Sequence, residues 1–259
     1  MRRLEDDVAA DIAAEAKTFS EHAAGGFSCG SCGVYRLCVP LGLHSADLSL
    51  LERVVRRRQS YRRAEMLFCS GQSFDYVYAV RSGSVKTFLS TEDGREQITG
   101  LHIAGELLGL SAIGPQSYTC SARALESTSV CKVAVERLEE VAAQVPAIQA
   151  QMLRIMANQI VRDEELMLLL GKRNAEERLA ALLLGISQRF ACRGFSATRF
   201  NLSMSRGDIG NYLGLAEETV CRLFARLQAE GVLTVRRRQI ELKSLERLRA
   251  LASGSAHES

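Results

Sequence analysis

Between Arg57 and Val133 the chain breaks into short β-rich runs, and this punctuation constrains the fold more than any other feature. The runs are Met66–Phe68, Tyr76–Val80, Ser84–Leu89, Gln97–Ile103 and Ser129–Val133, parted by Gly71, Ser82-Gly83, Asp93-Gly94 and Gly105. Strands at this spacing, with glycine turns, indicate an antiparallel sandwich or roll. A short helix is expected from Ser45 to about Val55, capped by Ser45 or Asp47. A long helix is expected from Val145-Pro146 to Gly171. Proline suits its first turn and glycine its end.

Along that helix Leu153, Met156, Ile160, Asp163, Met167 and Leu170 recur at alternating steps of three and four. This is a heptad seam with a carboxylate in its middle, and it points to pairing with a second copy. The alternative is one helix packed on its own sheet, with Asp163 on a wet edge.

After Asn174 the chain reads as helical again, with an amphipathic stretch from Glu176 to Phe190. The run Ser205–Leu227 reads as helix, glycine turn, helix, and Gly231 closes the second helix. Leu233–Val235 and Ile240–Leu242 then read as a hairpin wing with Arg236-Arg237-Arg238 at its tip. A helix-turn-helix lays its second helix in the major groove of DNA, led by that helix's N-terminal residues. Here those are Glu217, Glu218, Cys221 and Arg222. Residues 218, 221 and 222 share one helical face. A carboxylate accepts from cytosine N4, and a guanidinium grips guanine O6 and N7 with two bonds. Arg226 and the wing arginines lie further out and suit phosphates. The competing reading is an ordinary helix pair with a Glu218–Arg222 salt bridge. Charge favours the first: residues 172–243 hold 13 Lys or Arg against 7 Asp or Glu, a net of +6, while the rest of the chain carries −3. A basic third on a mildly acidic body suits a polyanion.

The length of 259 residues allows one or two domains with a sizeable core. No run approaches the apolar length of a membrane span, and Met1-Arg2-Arg3-Leu4-Glu5-Asp6-Asp7 has no signal character, so a cytoplasmic protein is expected. Eight cysteines in such a chain point to metal or redox chemistry rather than a disulfide scaffold. Cys29, Cys32 and Cys38 bring three thiols together, with Gly30 and Gly33 easing the backbone around a bulky ligand. The spacing by itself does not separate a [4Fe–4S] cluster from a structural zinc ion, and an incidental grouping stays open, with the cluster favoured. A fourth ligand must come from elsewhere in the chain, and Cys120 is one candidate. Cys69, Cys120 and Cys192 also read simply as small, half-buried core residues. No paired carboxylates, Ser-His-Asp set or phosphate loop stands out, so an enzyme is not expected.

These residues resemble the Crp/Fnr transcription factors, and among them the oxygen-sensing Fnr branch. The resemblance spans about Cys29 to Leu242. It is carried by Arg81-Ser82-Gly83, by Glu96–Gly100, by Asn174-Ala175-Glu176-Glu177-Arg178-Leu179-Ala180, and by Arg206-Gly207-Asp208-Ile209-Gly210-Asn211-Tyr212-Leu213-Gly214-Leu215. It implies an α+β chain: an N-terminal arm over 1–44, a sensory β-roll of the cyclic-nucleotide-binding type over 45–144, a dimerisation helix over 145–171, and a winged helix-turn-helix over 172–259. It further implies a homodimer, a [4Fe–4S] cluster on Cys29, Cys32, Cys38 and Cys131, TTGAT-like half-sites in double-stranded DNA, and contact with RNA polymerase. Candidates for that last contact are the turn Asp93-Gly94-Arg95 and residues near Ser117-Tyr118. The branch reads Glu-x-x-Ser-Arg in its recognition helix, whereas this chain has Cys221 in place of the serine, and a thiol is a weaker donor than a hydroxyl. Cyclic-nucleotide binders carry Gly-Glu followed by Arg-Ser-Ala. Here Gly105-Glu106 is present, but Tyr118-Thr119-Cys120 stands near the second motif's place, so no cyclic nucleotide is expected.

Overall fold

The computed structural model describes Cys29, Cys32, Cys38 and residues 55–254. The helix expected over 45–55 lies outside the described residues, save Val55, which opens a strand instead. Among the described residues eight strands form the N-terminal body: β1 Val55–Tyr61, β2 Met66–Phe68, β3 Tyr76–Ser82, β4 Ser84–Ser90, β5 Glu96–Ile103, β6 Leu107–Leu108, β7 Ser121–Ala124 and β8 Thr128–Ala134. They make two antiparallel sheets of four, ordered β1-β8-β3-β6 and β2-β7-β4-β5. Strands β1, β6 and β7 went unread in the sequence because none shows a glycine-bounded β-branched run.

The chain passes from one sheet to the other at Gly83, where φ is 81°. A Cβ there would lie 2.6 Å from the Ser127 carbonyl oxygen, so only glycine fits. Between the sheets Phe68, Val77, Val80, Val85, Leu108, Ala122 and Val130 are all buried. Tyr118 belongs to this core as well: it is 4% exposed, and its ring stacks on Phe68 with centroids 4.0 Å apart. Tyr118 is therefore no surface candidate for a partner, contrary to the sequence reading; the Asp93-Gly94-Arg95 turn is exposed.

Helix α1, Val135–Gln144, follows β8 without a break and was not anticipated. Helix α2, Pro146–Lys172, begins as expected, with proline in its first turn. It runs straight through Gly171 and stops at Arg173, because Asn174 there caps the next helix, α3, Ala175–Ala191. The Asn174 side chain accepts from the amides of Glu176 and Glu177, both at 3.0 Å, while Glu177 reaches back to the Asn174 amide. This capping box gives the Asn-Ala-Glu-Glu motif a physical role.

The C-terminal part comprises β9 Arg199–Asn201, α4 Arg206–Leu213, α5 Glu217–Ala229, the wing strands β10 Leu233–Arg236 and β11 Gln239–Leu242, and a closing helix α6 Leu245–Ser253. Strand β9 and helix α6 add to the elements expected. Their core is not separate from the roll. Phe88, Ile98, Leu101, Ile103 and Leu125 of the roll pack in one cluster with Leu179, Leu183, Ile209, Leu213, Phe224 and Leu248. Each such side chain contributes roughly 1.5–3 kcal/mol when fully buried, so the two parts are firmly docked.

Candidate functional site

Helices α4 and α5 meet across a tight turn. Gly214 adopts φ 63° at the end of α4, and the amide of Leu215 closes on the Gly210 carbonyl at 2.8 Å. A Cβ on Gly210 would sit 2.5 Å from the Leu215 carbonyl oxygen, so this close approach requires glycine. Ser205 caps α4 and bonds reciprocally with Asp208. The Arg206 guanidinium lies 3.3 Å from the centroid of the Phe224 ring, a cation–π contact that ties the first helix to the second.

On α5, Val220, Leu223, Phe224 and Leu227 are buried. Glu218, Cys221 and Arg222 are all exposed on the opposite face. Among the described residues no ion pair joins Glu218 to Arg222, so both charged ends remain available. Arg236, Arg237 and Arg238 are exposed at the wing. Arg226 differs from expectation. It pairs with the buried Glu176 at 3.1 Å and with Glu230 at 2.8 Å, and so braces α5 against α3.

Contacts made by Asn211 and Lys86 help to fix this unit on the roll, and sequence reasoning missed both. The Asn211 side chain lies along the edge of β5. Its Oδ1 accepts from the Ile98 amide at 2.5 Å and its Nδ2 donates to the Glu96 carbonyl at 2.6 Å. Nearby Lys86 donates to Asp208 at 2.7 Å. Arg178 ties the ends of two helices together. Its guanidinium donates to Leu170 and Arg173 at the end of α2, and to Leu213 at the end of α4, at 2.7, 2.8 and 2.9 Å. A cation there also complements both helix dipoles.

Along α2, Leu153, Ile160 and Met167 are 62%, 59% and 65% exposed, and Val161 and Leu168 widen the apolar stripe. Met156 and Leu170 are half-buried. Asp163 is exposed and accepts from Gln159 at 2.7 Å. Only Ile148 and Gln151 of this 27-residue helix are buried.

The cysteines fall into groups. The Cys32 amide bonds the Cys29 carbonyl at 3.0 Å, closing a tight turn. Cys38, Cys120 and Cys131 all pack, half-buried, against the roll core. Cys131 sits in β8 opposite Arg58 and Ala79. Burial pushes the Cys120 thiol up to about 11, which makes it a poor thiolate donor. Cys192 is exposed, not the half-buried core residue expected. Among the described residues no three His, Cys, Asp or Glu side chains are gathered closely enough to hold a metal ion. The donor set still suits an iron–sulfur group in chemistry: thiols alone, three on the arm, with Cys38 laid on the same core as Cys131.

Glu106, half of the Gly-Glu pair, is 7% exposed and surrounded by guanidinium groups. Arg189 contacts it at 2.6 and 3.0 Å, Arg193 at 2.8 Å and Arg162 at 3.3 Å. Burial favours the neutral acid, but Arg189 and Arg193 outweigh it and hold the carboxyl down at about 2. A cavity of about 650 Å³ lies beside it between the roll and α2, lined also by His102, Gln151 and Cys120.

Known proteins share this arrangement. A cyclic nucleotide-binding domain matches residues 58–145, and a Crp-like helix-turn-helix domain matches residues 177–251. The chain is 47% identical over 227 residues to the transcriptional activator protein Anr of Pseudomonas protegens, covering 88% of this chain and 93% of that one. It is 42% identical over 224 residues to the fumarate and nitrate reduction regulatory protein of Escherichia coli (strain K12), covering 86% and 90%. The structure of FixK2 from Bradyrhizobium japonicum aligns with a TM-score of 0.70 at 36% identity, over 75% of this chain and 96% of that one. A roll joined to a winged helix-turn-helix, with relatives of this kind, defines a DNA-binding transcriptional regulator rather than an enzyme. The chain belongs to the Crp/Fnr family.

Proposed function

We propose that this regulator responds to oxygen, acting in the cytoplasm as a homodimer on two-fold symmetric, TTGAT-like operators when it carries a [4Fe–4S] cluster. Cys29, Cys32, Cys38 and Cys131 would hold that group. When bound, it supplies oxygen-labile redox chemistry at the arm. The observation that carries the reading is the packing of Cys38 on the same core as Cys131, in a chain 42% identical to a fumarate and nitrate reduction regulatory protein.

The protein's own residues do the rest. Leu153, Met156, Ile160, Met167 and Leu170 offer a seam to a second copy. The exposed stripe is too apolar for a solvated helix face, and covering it drives association. Two Asp163 carboxylates facing each other across that seam oppose association, so pairing is marginal and a small energy tips it. Pairing sets the spacing of two recognition helices. Each presents Glu218 and Arg222 to base edges, with Cys221 between them, while the wing arginines hold phosphates. RNA polymerase is the expected partner on the promoter, with the Asp93-Gly94-Arg95 turn as a candidate contact. Cyclic nucleotides do not fit this reading, because Glu106 is already engaged by three guanidiniums and Tyr118 points inward.

The test is visible absorption with iron and sulfide analysis of anaerobically purified protein, before and after air. A brown, air-bleached preparation with matching iron and labile sulfide is expected; a colourless zinc protein refutes the proposal. Cys131→Ser should abolish iron binding. Retention in that variant, with loss in Cys120→Ser, would reassign the ligand.

A further inference from the structure

Glu106 accepts from more of the molecule than any other side chain described above. The carboxylate belongs to the roll, where the Ile103 amide also donates to it at 3.0 Å. Arg162 reaches it from α2. Arg189, in the last turn of α3, and Arg193, just beyond it, reach it from the DNA-binding part. Arg189 and Arg193 also donate to the Leu101 and Ala104 carbonyls of the roll, at 2.5 and 2.6 Å. A carboxylate buried to this degree is stable only while its charged donors stay in place. Moving any one of the three segments alone would strand charge.

We infer that Glu106 is a positioning residue for DNA binding: a buried carboxylate, satisfied by the chain's own arginines, that couples the pairing helix to the placement of the DNA-reading unit. Arg162 lies one residue before Asp163 and two after Ile160 on α2, so a shift of the seam moves its guanidinium directly. Arg178 provides a second link, since it holds the end of α2 to the end of α4. The recognition helix is thereby set relative to the seam, and the two-fold spacing of a dimer follows. The inference rests on the dimeric reading above.

The test uses full-length, anaerobically prepared protein and three DNAs: a symmetric operator, the same operator with two base pairs added at its centre, and a single half-site. The quantity read is the ratio of affinities for the first two. Any inactive fraction cancels from that ratio, so loss of folding alone does not move it. Glu106→Gln leaves three guanidiniums facing a neutral amide and is at risk of not folding. Arg162→Gln, which leaves the carboxylate two guanidiniums and the Ile103 amide, is therefore the main variant. The expected result is a discrimination ratio about tenfold smaller than in the wild type, the loss of one charge-assisted bond, with half-site affinity unchanged and with partial recovery in Arg162→Lys. An unchanged ratio in Arg162→Gln, or an equal fall in half-site affinity, overturns the inference while leaving the dimer intact. A wild-type protein that sediments as a monomer and shows no discrimination overturns the dimeric reading and this inference with it.

Discussion

Removing the Asn211 side chain should loosen the contact of α4 with β5 without unfolding either part. Asn211 makes two of the contacts that hold α4 against β5, at 2.5 and 2.6 Å. The strand β5 is an edge of its sheet, and Ile98 is only 2% exposed. Its amide loses its partner in Asn211→Ala. Two hydrogen bonds at about 0.5–1.5 kcal/mol each, together with a stranded amide at about 1–3 kcal/mol, give a loss of roughly 2–6 kcal/mol. At about 1.4 kcal/mol per decade, the Ile98 amide should exchange with deuterium roughly 30-fold faster, or more. Hydrogen exchange read by NMR or mass spectrometry follows this directly. The Val130 amide, in the centre of the other sheet, serves as the control and should not change. An acceleration at Ile98 below about threefold would refute the reasoning. Equal acceleration at Val130 would do the same, since it would mean that the roll itself had loosened.

Further expectations concern the seam, the interface and pH. Asp163→Ala should shift sedimentation toward the dimer in air, and a variant that stays monomeric would remove charge repulsion as the cause. Arg222→Ala should cost about 1–3 kcal/mol in operator affinity and relax the preference at one base pair. By contrast, Arg238→Ala should weaken binding to all sequences alike and lower the salt dependence by about one ion. His102 is lowered to about 4 by burial, opposed by Glu106 and aided by Arg189 and Arg162. The unfolded chain takes up that proton first, so stability should fall as pH drops from about 6.5 toward 4, by at most about 3 kcal/mol, with no effect above that window. Chemical denaturation of His102→Gln across that range should show a flatter profile; an identical profile would mean that His102 is not the group responsible.

Much of this molecule is legible in one dimension because its signals are local. Glycine turns mark the roll strands, a proline marks the start of α2, and Gly214 marks the turn between α4 and α5. Each reports a backbone conformation that neighbouring residues alone determine. The exposed face of α5 could be read for a similar reason, since helical period places 218, 221 and 222 together whatever surrounds them. The strands β1, β6 and β7 could not be read, because their place depends on partners far along the chain. The same holds for Tyr118, a surface candidate by family resemblance, which is stacked on Phe68 instead.

The sequence by itself determined the order of parts, the bias of positive charge toward the C-terminal third, the positions of the cysteines and the stripe along α2. Spacing and composition specify these without reference to contacts. Only the tertiary structure decided what the charges and amides do. It turned Arg226 from a phosphate contact into a brace on Glu176, gave Asn211 the edge of a distant strand to bind, and closed three arginines on Glu106. Such partners lie 50 to 115 positions apart in the chain. A carboxylate or amide carries no local mark of its eventual neighbour, because hydrogen bonds and ion pairs act over a few ångströms and only folding brings those atoms within reach.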